Sequence, residues 1–189
     1  MGWVARRQLT NLLGALSLVL ALAGLSVGLP ALDSALPADR SVATDRPYVV
    51  GGGVTVVPPA GSRIDVTETR PTDDSGTALF RLGPVRYLIT VRPFDGDLDA
   101  AAGRLRERIT GTAGYQVTGT ELTVATGSGL AGVQGGYTAP GRGGRYLVFV
   151  AGGRTIEVTV SGADLDLGRT LPAIDASTRT LRYDPAEPE

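Results

Sequence analysis

The chain has 189 residues, with 18 basic and 19 acidic side chains for a net charge of −1; every basic residue is arginine, and lysine, histidine and cysteine are absent. These absences exclude the usual zinc and copper ligand sets, histidine-activated nucleophiles, Schiff-base lysines, a Walker-type phosphate loop, disulfides and a lipidated cysteine. The near-neutral balance provides no basic face, so no nucleic-acid partner is expected, and no residue pattern calls for a cofactor.

At the amino end Arg6 and Arg7 precede an uncharged run from Gln8 to Leu32. A helix crossing the hydrocarbon core needs roughly 20 apolar residues, so the sequence predicts a transmembrane helix over residues 9–32 that rests in the lipid bilayer. The arginines lie before the span and the first charges after it, Asp33 and Asp39, are acidic. That bias places a short segment, 1–8, in the cytoplasm and the remainder of the chain outside it. The competing reading is a cleaved signal peptide, whose apolar region is shorter, about 7–15 residues; Ala21-Leu22-Ala23 and the Ala-rich stretch after Pro30 leave that reading open. Within the span Thr10, Gly14, Ser17, Ala21, Gly24 and Gly28 form one seam at helical spacing, and Gly24-x-x-x-Gly28 matches the close-packing motif of membrane helices. The seam predicts a helix–helix contact, with a second copy of the chain or with another membrane protein. The plainer reading is a span rich in small residues, since Ala15, Ala23 and Ser26 lie off the seam.

Residues 33–47, rich in Ala, Ser, Pro and Asp, read as a flexible linker. A domain over 48–183 and a short disordered tail, 184–189, follow. Strand signals come first: Val54–Val57, then Ile64–Thr69 with Ile64 and Val66 pointing inward, then Thr77–Leu82 after the polar turn Thr72–Gly76. Arg86–Arg92 puts Tyr87, Ile89 and Val91 on one face. The period then changes, with Leu98, Ala101, Ala102, Leu105 and Ile109 at helical spacing, Asp97 as N-cap and Gly111 as the stop. Arg104, Arg106 and Arg108 avoid that stripe and read as solvated. Strands resume with Glu121–Thr126, Val133–Thr138, the continuously apolar Tyr146–Val150 and the alternating Thr155–Ser161, joined by Pro140–Gly144 and Gly152-Gly153 turns. A final helix is predicted from about Leu171, with Pro172 in its first turn. The order predicts an α+β fold: an antiparallel β-sheet whose two helices cover one or both faces, preceded by one N-terminal transmembrane helix.

Two motifs invite a chemical reading. Gly127-Ser128-Gly129-Leu130-Ala131-Gly132 spells the dinucleotide fingerprint, but Gly135, Gly136, Gly141, Gly143 and Gly144 follow it, where that fingerprint needs a helix. Hairpin turns and bulges account for it. Asp95, Asp97 and Asp99 have calcium-loop spacing, yet Ala100 and Arg106 stand where the loop needs glycine and glutamate. Helix capping explains these aspartates, so no metal is expected.

The run from Leu98 onward, through Gly114-Tyr115-Gln116-Val117, Gly129–Tyr137, the apolar strand Arg145–Val150, the strand Thr155–Ser161 and a closing helix, resembles the PsbP-like superfamily, and within it the LpqN-type envelope lipoproteins of mycobacteria and their relatives. The likeness spans roughly residues 50–183 and implies a binding or accessory module, without catalytic residues to carry across. This chain has no lipidated cysteine and uses an apolar span instead. Its Ala, Gly and Arg richness points to a GC-rich, actinobacterial genome. The expected function is a membrane-anchored extracytoplasmic module that binds or scaffolds an envelope protein or ligand. The alternative is an envelope hydrolase or transferase using paired carboxylates, which requires two acids about 5–10 Å apart in one cleft. A cysteine-free chain makes topology testable with one introduced thiol, for example at Ser62.

Overall fold

The computed structural model describes residues 39–185. The predicted span 9–32, with Gly14, Ser17, Ala21, Gly24 and Gly28, lies outside the described residues, as do residues 186–189 of the tail. Among the described residues no helix is long and apolar enough to cross a membrane.

The elements run β1 (Asp39–Ser41), β2 (Tyr48–Gly51), β3 (Val54–Val56), β4 (Arg63–Asp65), β5 (Arg70–Pro71), β6 (Gly76–Leu82), β7 (Val85–Pro93), α1 (Leu98–Thr110), β8 (Gln116–Ala125), β9 (Ala131–Ala139), β10 (Arg142–Ala151), β11 (Arg154–Gly162), α2 (Asp164–Arg179) and β12 (Arg182–Tyr183). The main sheet has the order β1-β4-β6-β7-β11-β10-β9-β8, with β5 also pairing β6, and a small sheet has the order β12-β3-β2. All pairings in both are antiparallel. The fold is α+β, mostly antiparallel sheet with two helices.

The helices take opposite faces. α1 lies over β8, β9 and β10, whereas α2 lies over β7, β10 and β11. Strand alternation divides the residues between them: Tyr87, Ile89, Val91, Leu147, Phe149, Ile156, Val158 and Val160 form the core with Ile174 and Leu181 on the α2 side. Val50, Val54 and Val56 of the small sheet join the same core. On the other face Tyr137, Tyr146 and Val148 meet Ala101, Leu105 and Ile109 of α1. The Asp97 carboxylate accepts the Ala100 amide, capping α1 as the sequence predicts, and Gly111 ends the helix. Gly152 and Gly153, with φ of 53° and 70°, make the tight β10–β11 turn that matches the right-handed twist of its strands.

Three local expectations are corrected. Asp39–Ser41, within the segment expected to be a tether, pairs with β4 as the edge of the main sheet. The strand from Ile64 stops at Asp65, so Val66 is exposed and Asp65 is buried. The Asp65 carboxylate bends the chain by accepting the Thr67 hydroxyl and the amides of Thr67 and Glu68, while Arg81 binds its other oxygen at 2.7 Å. Finally, α2 begins at Asp164, so Pro172 lies inside the helix instead of in its first turn. Proline offers no amide to the carbonyl four residues back, that of Gly168, which sits on an exposed stretch where water can replace the lost bond.

Candidate functional site

Because each helix crosses only part of the sheet, each face keeps an open stretch. On the α1 face, rows of side chains run across the strands according to register: Thr77, Thr90, Glu157 and Val148 form one row, and Leu79, Leu88, Thr159 and Tyr146 the next. α1 covers the Val148 and Tyr146 end. Beside it a cleft of about 350 Å³ opens over Leu88, Thr90, Arg92, Glu157 and Thr159, walled by Leu105, Arg108, Ile109 and Thr112 and closed at one end by Tyr115 and Tyr137.

On the helix side the cleft wall is tied to the sheet by ion pairs. Arg108 forms an ion pair with Glu157, a residue only 8 % exposed on the central strand β11. Two residues earlier on α1, Arg106 holds Glu121 of β8 at 2.6 Å, and the other Glu121 oxygen accepts the Tyr146 hydroxyl at 2.7 Å. Arg106 and Arg108, expected to be solvated, are therefore the clamps that fix α1 to the sheet, and Arg104 lies over the Phe94 ring. Burial first, and then the Glu121 carboxylate, push the Tyr146 phenol up to about 12. Burial likewise raises Tyr137, whose hydroxyl donates to the Val160 carbonyl while its ring stacks on Tyr115, centroids 5.9 Å apart.

The α2 face has its own groove over β8 and β9. One part, of about 370 Å³, is lined by Val124, Gln134, Leu147, Phe149, Thr178 and Arg179 among others. A smaller part, of about 240 Å³, reaches Leu122 and Leu171. Gln134 and Arg145 belong to both, and Arg145 binds Asp175 of α2 at 2.6 Å.

The glycines between these clefts have structural work. Gly127 and Gly129 belong to the β8–β9 turn, where the Gly127 amide donates to the Arg179 carbonyl and Ser128 to that of Leu181, so the turn docks on the end of α2. Gly132 is in β9. The fingerprint-like motif is a hairpin, as its context predicts. At Gly135 a Cβ would overlap the Tyr146 ring, and at Gly144 the Tyr137 ring, so both tyrosines lie flat across bare backbone. Asp95, Asp97 and Asp99 surround the start of α1, with Asp97 occupied as its cap. Asp164 and Asp166 occupy the first turn of α2. Among the described residues no three acids cluster to hold a metal. Sequence reasoning missed Glu157. A carboxylate within an alternating apolar strand was the available signal, since a buried charge requires a partner.

No family model and no curated protein matches the sequence. Solved structures do. PsbP (CyanoP) of Synechocystis is similar over 76 % of this chain and 95 % of its own, at 14 % identity and a TM-score of 0.54. The PA94 protein of Pseudomonas aeruginosa, of unknown function, is similar over 71 % of this chain and 100 % of its own, at 19 % identity and a TM-score of 0.50. The fold is PsbP-like.

Proposed function

We propose that this chain is a membrane-anchored extracytoplasmic binding module of the cell envelope, of the LpqN type and of actinobacterial origin, held at the bilayer by residues 9–32. The observation that carries the binding role is the chemistry of the clefts. Each offers a preformed concave surface whose lining includes a single carboxylate, Glu157 in one and Asp175 in the other, already bound to an arginine. Two free acids in one cleft, which a carboxylate hydrolase needs, do not occur in either. The uncharged run after Arg6 and Arg7 supports the anchoring and the orientation.

Topology is tested with one thiol in the cysteine-free full-length chain. Ser62 is only 5 % exposed and is unsuitable, whereas Asp73 is exposed in the turn before β6. Asp73→Cys is expected to react with a membrane-impermeant maleimide in intact cells and to sediment with membranes. Labelling that appears only after lysis, or a chain recovered in the soluble fraction, would refute this location.

A further inference from the structure

We propose that the α1 cleft binds a small organic monoanion with an apolar body, its carboxylate held by Arg92. The proposal rests on the binding-module reading but not on where the domain is displayed. The cleft is lined by two guanidiniums, Arg92 and Arg108, and one carboxylate, Glu157. Glu157 is consumed by Arg108. Arg92 is exposed and has no ion pair among the described residues, so the cleft has one uncompensated positive charge. A guanidinium presents a planar fork that matches a carboxylate with two parallel bonds. A divalent anion would leave one charge unmatched; a cation would have to displace Arg108 from Glu157.

A second observation lies beside Arg92 on the same face of the sheet. Thr155 pairs with Arg92 across the β7–β11 ladder, and alternation places its side chain on the face of Glu157 and Thr159. It is 5 % exposed, and its hydroxyl has no hydrogen-bond partner among the described residues. A buried hydroxyl without a partner is uncommon, and here it adjoins the unpaired cation. The apolar part of the cleft is Leu88, Leu105 and Ile109 with the Tyr115–Tyr137 stack, beside the uncharged Thr90, Thr112 and Thr159. Those surfaces suit a flat or branched hydrocarbon body. The volume of about 350 Å³ lies at the small end of ligand pockets, which excludes a peptide or an oligonucleotide as the enclosed ligand.

Benzoate is the probe, with benzamide as the neutral isostere and acetate as the anion without a body, each titrated into the full-length chain and followed by ligand-observed NMR. Benzoate is expected to bind at least about tenfold more tightly than either control, a difference of roughly 1.4 kcal/mol. Arg92→Gln should weaken benzoate by about tenfold or more with an unchanged thermal midpoint, since truncating an exposed side chain perturbs folding little. Glu157→Gln, which releases Arg108 to the ligand, should tighten it, measured well below the variant's own midpoint. Benzamide binding as well as benzoate, an Arg92→Gln variant that binds like the parent, or no benzoate binding at all would overturn the proposal. A negative benzoate result beside a labelled Asp73→Cys chain removes the ligand assignment alone and leaves the location standing.

Discussion

The two faces of the sheet are built by different physics. The α2 face is dry. Tyr87, Phe149, Ile156 and Val158 are at most 1 % exposed, and the few polar groups there bond to one another, as Tyr87 does to Thr178 at 3.0 Å. The α1 face is held by charge. A short apolar stripe on the helix is supplemented by Arg106–Glu121 and Arg108–Glu157, and the sheet beside it is left open. Apolar burial scales with covered area, so the part of the α2 face that carries the core lies under the helix and the small sheet. Ion pairs act at points, and a helix pinned at two points leaves its neighbouring strands free to form a cleft. The α2 groove lies beyond that core, over β8 and β9, where Arg145 and Asp175 pair.

The largest effect tests the dry face. Phe149→Ala removes a ring that lies against Gly132 at 1 % exposure, and the cavity should cost about 3–5 kcal/mol. Denaturant unfolding of the variant and the parent measures it. A loss below about 1 kcal/mol, the level of ordinary surface substitutions, would mean that this face does not carry the stability assigned to it.

A smaller effect tests whether a charge outside both helices stabilises the sheet edge. Burial pushes the Asp65 carboxyl up, but the Thr67 hydroxyl, Arg81 and the amides of Thr67 and Glu68 outweigh it and bring it down to about 2. A carboxyl lowered in the folded state contributes stability that is fully present above its unfolded value near 4 and is lost as pH falls toward 2, here on the order of 2 kcal/mol. Asp65→Asn should flatten the acid limb of stability between those values. An unchanged acid limb would show that the Asp65 cage is not charge-selective.

The dry face was the legible one. Alternation in Arg86–Arg92 and Thr155–Ser161 identifies Tyr87, Ile89, Val91, Ile156, Val158 and Val160 as inward, because a side chain's direction in a strand follows from its neighbours in the chain. Asp97, with its partner amide three residues away, was legible for the same reason. What failed depends on distant residues. Asp65 is buried against Arg81, from another strand, and the chain bends there onto Thr67 and Glu68, which leaves exposed the Val66 that alternation made look buried. The Arg108–Glu157 pair joins residues 49 apart. Glu157 in its apolar strand calls for a partner, but nothing local names Arg108, so the cleft wall read as a solvated helix face. At the start of α2 the buried Leu167, four residues before Leu171, carries the stripe, but Leu165, which is 79 % exposed, and Gly168 beside it interrupt the pattern.

The smallest effect sharpens the charge-held face. Tyr146 is fully buried, yet its hydroxyl reaches the Glu121 oxygen that Arg106 leaves free. Tyr146→Phe keeps the ring over Gly135 and deletes one hydrogen bond to a charged acceptor. The expected loss near neutral pH is about 1–2 kcal/mol, because Glu121 keeps Arg106 and some water. The alkaline limb reads the same hydroxyl through its ionisation. A phenol raised to about 12 in the folded chain, against about 10 unfolded, contributes stability that is intact below pH 10 and disappears as pH climbs through 12. Tyr87, also raised to about 12 by burial, titrates over the same range and remains in the variant. Tyr146→Phe should therefore reduce the alkaline slope without abolishing it, and Tyr87→Phe should remove a comparable share. If Tyr146→Phe leaves the slope unchanged while Tyr87→Phe flattens it, the Tyr146–Glu121 contact does not hold the α1 face, and the cleft wall would have to rest on Arg108 and Glu157 alone.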